Sequence, residues 1–316
     1  MATRAGFVLR RLSETVFRLQ ECDRCDQNVH VYVILPKLHR NAFVIDSGTG
    51  EHDTRAAIHS MIFDGYNQRR RRFVVINTHN HFDHVGGNHY FQRADDCDGI
   101  WAGKRDRRYT EDEIGMFSWF YRYRVKPYSV TRWLDDLEKI ELNEQNSDST
   151  DDYLQTVYTP GHTPDSISIY YSSERRLFVG DTIYSGAPVL LLSADANIDD
   201  YIDSCERMRD FVQAHEQSPA TIDATGAAAA TDSNLPPITL ACGHVSDELP
   251  ASSFSELGRL LSDVKSNVAR PMYADVMFRM YTNEQCTLSV MKRRCTWMDW
   301  LLRPIVRLYM WLCLRA

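Results

Sequence analysis

The chain has 316 residues, of which 43% are hydrophobic and 25% charged, with a formal net charge of −7. This is the balance of a folded chain long enough for one large core or two modest ones, and it excludes a disordered protein or a collagen-like or coiled-coil rod. The acidic excess also speaks against general nucleic-acid binding, which needs basic residues to neutralise phosphates.

The average conceals an uneven split. From Lys265 onward nine Lys/Arg face three acids, so residues 265–316 carry +6 and the rest −13. An acidic body with a basic tail suggests contact with an anionic surface. Eight cysteines are scattered without the spacing of a disulfide framework, which at this length reads as reduced thiols in a cytoplasmic protein. Met1–Leu19 contains arginines but no apolar stretch, so no targeting segment is expected there.

The runs Thr15–Gln20, Val29–Leu35 and Phe43–Ile45 are β-branched and aromatic, separated by polar turn residues, as in antiparallel strands. Cys22-Asp-Arg-Cys25 lies between the first two; no second pair follows it, which leaves a zinc ribbon or redox role weakly supported. His52–Phe63 has helical spacing. Phe73–Ile76 is wholly apolar, the mark of a strand buried on both faces. It runs directly into Thr78-His79-Asn80-His81-Phe82-Asp83-His84-Val85-Gly86-Gly87. The carboxyl end of such a strand is where α/β folds place their chemistry.

Aromatic residues then interleave with Arg122, Arg124 and Lys126 across Phe117–Trp133. These cations are candidates for holding substrate phosphates, with the aromatics as a stacking or acyl surface; a solvated face over core aromatics is the plainer alternative. Strands resume at Leu154–Tyr158, Ser166–Tyr171 and Leu177–Val179, a helix follows at Asp199–Ala214, and Ile238–Ala241 is a last short strand. Residues 216–237 are low in complexity and read as a flexible insertion in a domain spanning 1–264.

His79, His81, Asp83 and His84 are nitrogen and oxygen ligands of the kind zinc takes, and four within six residues point to two neighbouring ions rather than one. Three more ligand-type residues follow strands and sit near glycines: His162 in Thr159-Pro-Gly-His162-Thr-Pro164, Asp181 after Gly180, and His244 after Gly243. Each alone would pass for a turn residue; the recurrence makes the case. The other six histidines lack this setting.

With these seven positions filled, the sequence resembles the metallo-β-lactamase fold superfamily over roughly residues 13–262. The resemblance implies an α/β (α+β) four-layered αβ/βα sandwich with two mixed β-sheets. It further implies that His79, His81 and His162 hold one divalent cation, Asp83, His84 and His244 a second, and Asp181 both, with zinc the expected metal. Asp46, in Val44-Ile-Asp46-Ser-Gly48, matches an early Asp that orients a ligand from behind, although a turn-capping role fits equally. The stretch PGHTPDSISIYYSSERRLFVGDTIYSG resembles the glyoxalase II-like branch. Thr15-Val-Phe17, Asn28–Ile34, Asp199-Asp-Tyr201 and Cys205-Glu-Arg207 resemble the metallo-β-lactamase domain-containing protein 2 group, associated with acyl-coenzyme A hydrolysis and with membranes.

The expected activity is therefore hydrolysis of an acyl-coenzyme A thioester by a metal-activated hydroxide, with Asp83 orienting the nucleophile. Two alternatives stay open: a phosphodiesterase on a small or lipid phosphodiester, and a membrane-docked interaction protein with structural metal. Trp297–Leu314 is apolar with Asp299, Arg303 and Arg307 on one stripe, preceded by Lys292-Arg293-Arg294. That pattern fits a helix lying in a membrane interface, at the endoplasmic reticulum or plasma membrane, or one closing over the enzyme body. Cys295 and Cys313 are candidate acylation sites.

Overall fold

The computed structural model describes residues 3–4, 6–112, 123–144, 152–191, 196–216, 235–274, 278–283 and 286–291. The strand Arg72–Ile76 shows how the sequence builds the layers. Phe73 and Val75 pack on one side with Ile58, Met61 and Ile62, while Val74 and Ile76 pack on the other with Ile167, Ile169 and Phe178. A strand apolar on both faces has to be covered on both.

It belongs to an eight-stranded sheet that runs in chain order from Thr3–Arg4 to Arg132–Leu134. The strands are antiparallel as far as Asn41–Ile45, then parallel through Arg72–Ile76 and Cys97–Gly103 to Arg132–Leu134. The second sheet has six strands, ordered Leu249–Pro250, Thr239–Cys242, Arg176–Gly180, Ile167–Tyr171, Tyr153–Tyr158, Lys139–Glu141. In it, Arg176–Gly180 and Thr239–Cys242 are parallel. The helix Thr54–Ala57, capped by Asp53 and continued by a π-type turn at Ile58–Phe63, covers the outer face of the first sheet. The helices Ile198–Glu216 and Ser253–Lys265 cover the second, burying Tyr201, Met208, Leu257 and Leu261 against Leu177, Val179 and Leu240. The result is helix, sheet, sheet, helix: the expected αβ/βα sandwich with mixed sheets.

Two expectations need correction. A third, four-stranded sheet joins Pro188–Leu191 to Thr287–Met291, Phe278–Thr282 and Tyr273–Ala274, with the first two strands parallel. The strands Tyr273–Ala274, Phe278–Thr282 and Thr287–Met291 therefore belong to the body, not to a helical tail starting at 265. Their charge balance suggested a tail, but Tyr281 and Leu288 are apolar enough to bury in the same core as Phe254 and Leu257, and burial outweighs a surplus of exposed cations. The apolar segment Trp297–Leu314, Cys295 and Cys313 lie outside the described residues, as does most of the 216–237 insertion. No helix among the described residues is long and apolar enough to cross a membrane.

Candidate metal centre

The carboxyl ends of the strands converge on one cleft, as open α/β sheets direct. Arg72–Ile76 delivers the loop containing His79 and His81, and the short helix Phe82–Val85 carries Asp83 and His84. Tyr153–Tyr158 leads to His162, Arg176–Gly180 to Asp181, and Thr239–Cys242 to His244. All seven side chains are buried.

They fall into two groups whose ligand atoms lie within 4.8 Å of one another: His79, His81, His162 and Asp181, and Asp83, His84 and His244. His81 Nδ1 lies 3.0 Å from both His79 Nε2 and His162 Nε2. One ring nitrogen, with one proton or one lone pair, cannot serve two such neighbours. Asp181 reaches both groups: Oδ2 is 3.5 Å from His162 Nε2 and 3.5 Å from His244 Nε2, and Oδ1 is 3.3 Å from His84 Nε2. Asp83 Oδ2 lies 3.3 Å from His244 Nε2.

The donor set fits a pair of divalent cations. His84 Nε2 and Asp181 Oδ1, buried 3.3 Å apart, make no well-aligned hydrogen bond to each other or to another group, an arrangement that otherwise carries a desolvation cost. Nitrogen and carboxylate oxygen are the ligands zinc and its neighbours take. The close approach depends on Gly243, where a Cβ would meet Asp181 Oδ1 at 2.4 Å and His84 Cε1 at 2.8 Å.

The far ring nitrogens are fixed as well. Asp46 Oδ2 lies 2.8 Å from His84 Nδ1 and accepts from Thr78 Oγ1 at 2.9 Å, while Asp46 Oδ1 accepts from the Thr78 N–H. Thr78 Oγ1 in turn lies 3.0 Å from His79 Nδ1. His162 Nδ1 faces the Leu190 carbonyl at 3.0 Å, and His244 Nδ1 the Gln27 carbonyl at 2.8 Å. A partner on the far nitrogen fixes which nitrogen remains to bind a metal.

Burial, reinforced by neighbouring imidazoles, holds His79 well below the ordinary histidine value and His81 at about 3. Burial also depresses His162, so these three rings are neutral at pH 7. For His84 burial acts the same way, but Asp181, Asp46 and Asp83 outweigh it and raise the ring well above its usual range; His244 is raised to about 10, with Asp181 the strongest of the groups opposing burial. The second group thus holds protons that cation binding must displace.

Beside the cluster lies a small cleft, with about 60 Å³ open to the centres of water-sized spheres, whose other wall includes Phe82, Tyr184, Ala187, Pro188, Leu190 and Val245. In Pro188–Leu191 the alternation of a strand turns Val189 and Leu191 into the core while Pro188 and Leu190 line the cleft. The third sheet therefore supplies both apolar wall and the carbonyl facing His162.

This pattern matches the sequence signature of the metallo-beta-lactamase superfamily across residues 26–214, more than half of the chain. The chain belongs to the metallo-β-lactamase superfamily. Among its relatives is the Acyl-coenzyme A thioesterase MBLAC2 of Homo sapiens, 29% identical over 158 residues, which are 45% of this chain and 52% of that one. The chain thus spans about half the length of that relative. A putative transcription factor avaE of Aspergillus versicolor is 24% identical over 312 residues, covering 90% of this chain and 86% of that one. A metallo beta lactamase from Erythrobacter litoralis superposes with a TM-score of 0.55 at 17% identity, covering 83% of this chain and 99% of that one. At that identity the likeness speaks for the fold alone.

Of the cations expected to meet substrate, Lys126 is exposed, its Nζ lies 3.1 Å from His89 Nε2, and it is not among the cleft-lining residues. Arg124 is exposed and likewise not among the cleft-lining residues described; Arg122 lies outside the described residues. The CxxC pair is in a loop held by Asp23, which accepts from the N–H groups of Cys25, Gln27 and Asn28. That loop contributes Gln27 to the site, a role no side-chain pattern signals. Thr78 and Tyr184 lie inside the two ligand motifs, where their position beside the ligands is the signal; the Leu190 carbonyl carries no sequence signal.

Proposed function

We propose that this metallo-hydrolase cleaves acyl-coenzyme A thioesters. The observation carrying the reading is the composition of the cleft: a buried His/Asp cluster faces an apolar wall, and no Lys or Arg lines it among the described residues. A thioester with a hydrocarbon acyl group suits such a wall, whereas a small phosphodiester gains nothing from it. A thiolate, whose conjugate acid has a pKa of about 8.5, also departs without a strong proton donor. The human relative named as an acyl-coenzyme A thioesterase supports the same choice.

In this reading His79, His81 and His162 would hold one divalent cation and Asp83, His84 and His244 another, with Asp181 placed within reach of both groups. Bound cations of this kind lower the pKa of water and stabilise the charge that develops on the attacked carbonyl oxygen. Asp83 orients the attacking water by accepting its hydrogen. Asp46, Thr78 and the carbonyls of Leu190 and Gln27 keep the imidazoles aimed, and the apolar wall excludes competing solvent. The net acidity of the chain gives no support to carrying the avaE name over as a DNA-binding role.

The test assays zinc-loaded full-length protein against acetyl-, butyryl- and palmitoyl-coenzyme A and bis-p-nitrophenyl phosphate, before and after EDTA. Chelator-sensitive thioester turnover is expected; preference for the diester overturns the proposal.

A further inference from the structure

His244, Val245 and Ser246 form a tight turn in which the Ser246 N–H donates to the His244 carbonyl at 2.5 Å, two residues back. Val245 at its apex has φ of +58°. For a β-branched side chain this left-handed conformation is an outlier, because Cβ crowds its own backbone. The surroundings hold it there: Cys242 N–H donates to the Ser246 carbonyl at 2.9 Å, Gly243 N–H to the Gly180 carbonyl at 2.7 Å, and Ser185 N–H to Ser246 Oγ at 3.3 Å.

Valine gains nothing for folding at this position. It is 54% exposed, so it buries little apolar surface, and Asn or Gly would take the backbone shape at less strain. What it does is present an isopropyl group to the cleft, completing a wall with Phe82, Tyr184, Ala187, Pro188 and Leu190 directly beside His244. Strain held in place by surrounding hydrogen bonds, on an exposed apolar residue at a cleft mouth, is the pattern of a residue kept for its ligand.

Building on the thioesterase reading, we infer that Val245 is a specificity residue that binds the acyl chain, and that the cleft is an acyl subsite favouring long chains over acetyl groups. A hydrocarbon chain leaving the His/Asp cluster covers the exposed face of Val245 and takes that surface out of water. An acetyl group is too short to do so.

The experiment compares wild type with Val245→Asn and Val245→Gly in the full-length protein. Asn keeps the size and tolerates the backbone angle; Gly removes the side chain. Three readouts are taken: the ratio of kcat/KM for palmitoyl- to acetyl-coenzyme A, the Kd of palmitate by calorimetry on metal-free protein, and the melting temperature. Losing the apolar contact should lower the ratio and weaken palmitate binding about tenfold each. Relief of strain should leave the melting temperature of Val245→Asn unchanged or raise it by about 2–4 °C. An unchanged ratio with unchanged palmitate affinity overturns the inference, as does a lower melting temperature for Val245→Asn, which would make the valine structural. A wild type that turns over no thioester defeats the functional reading itself and this inference with it, a result distinct from an active wild type whose variants keep its chain preference.

Discussion

The loop His79–His84 and the separate residues His162 and His244 end in the same cleft, yet different chemistry holds them. The loop is fixed by side chains: Asp46 bonds Thr78 and faces His84, and Thr78 faces His79. His162 and His244 are fixed by backbone carbonyls brought from elsewhere, Leu190 on the edge of the third sheet and Gln27 in the loop after the strand Val16–Glu21. A side-chain anchor travels with its motif. A carbonyl anchor is only as well placed as the element that carries it, so the dispersed half of the centre should depend on packing far from the metal ligands.

The most severe test of that difference is Leu288→Ala. Leu288 is fully buried and pairs with Val189 in the strand that presents Leu190. Truncation should cost about 2–5 kcal/mol in urea unfolding, and the loosened strand should also weaken zinc binding at the His162 side. Ile62→Ala serves as control, since Ile62 is equally buried but packs in the core behind the first sheet. It should cost similar stability without changing zinc affinity in a chelator competition. Equal losses of affinity in both variants would erase the distinction between the two kinds of support.

A smaller effect probes the loop half. Asp46→Asn keeps a residue that accepts the left-handed backbone seen at Asp46, where φ is +62°. It replaces one acceptor oxygen by an NH₂ group and removes the charge beside His84. Loss of such a partner behind a ligand typically costs about 10–100-fold in metal affinity, and chelator competition reads it. An unchanged affinity would mean that Asp46 serves the turn alone.

The same contrast explains what the sequence made legible. The seven cluster residues are side-chain types with characteristic neighbours, so Arg72–Ile76 followed by the histidine loop announced itself, as did His162, Asp181 and His244 beside their glycines. The sandwich was legible only through the family resemblance those residues carry, while apolar runs such as Phe73–Ile76 indicated buried strands. Carbonyl anchors leave no trace, because every residue has one and only tertiary position selects Leu190 and Gln27. The third sheet was hidden for another reason: Thr287–Met291 forms a parallel pair with Pro188–Leu191 about a hundred residues away, and the surplus of Lys and Arg around it resembles a solvated tail. Cations near aromatics are as much at home on a surface as in a site: Lys126 meets His89 and the Tyr90 ring, and neither it nor Arg124 is among the cleft-lining residues.

One layer further from the metals, the side-chain support itself rests on a buried carboxylate, and this sets the mildest prediction. Glu21 is fully buried and accepts from the N–H groups of Thr49 and His52, holding the loop that begins at Asp46. Ser47 in that loop donates to the His84 carbonyl through both its N–H and its hydroxyl. Burial pushes the Glu21 carboxyl up to about 7 from an ordinary 4.5, against the two backbone hydrogen bonds that pull it down. Between those values the folded protein keeps a proton that the unfolded chain gives up. Stability from this group is therefore complete below about pH 4.5 and lost as pH rises through about 7, a change on the order of 1–3 kcal/mol. Urea unfolding from pH 5 to pH 8 should show wild type falling more steeply than Glu21→Gln, which has no proton to lose; the difference between the two isolates Glu21 from the titration of the cluster. Parallel curves would show that Glu21 ionises alike in both states, and the loop carrying Asp46 would then be held by hydrogen bonds indifferent to pH.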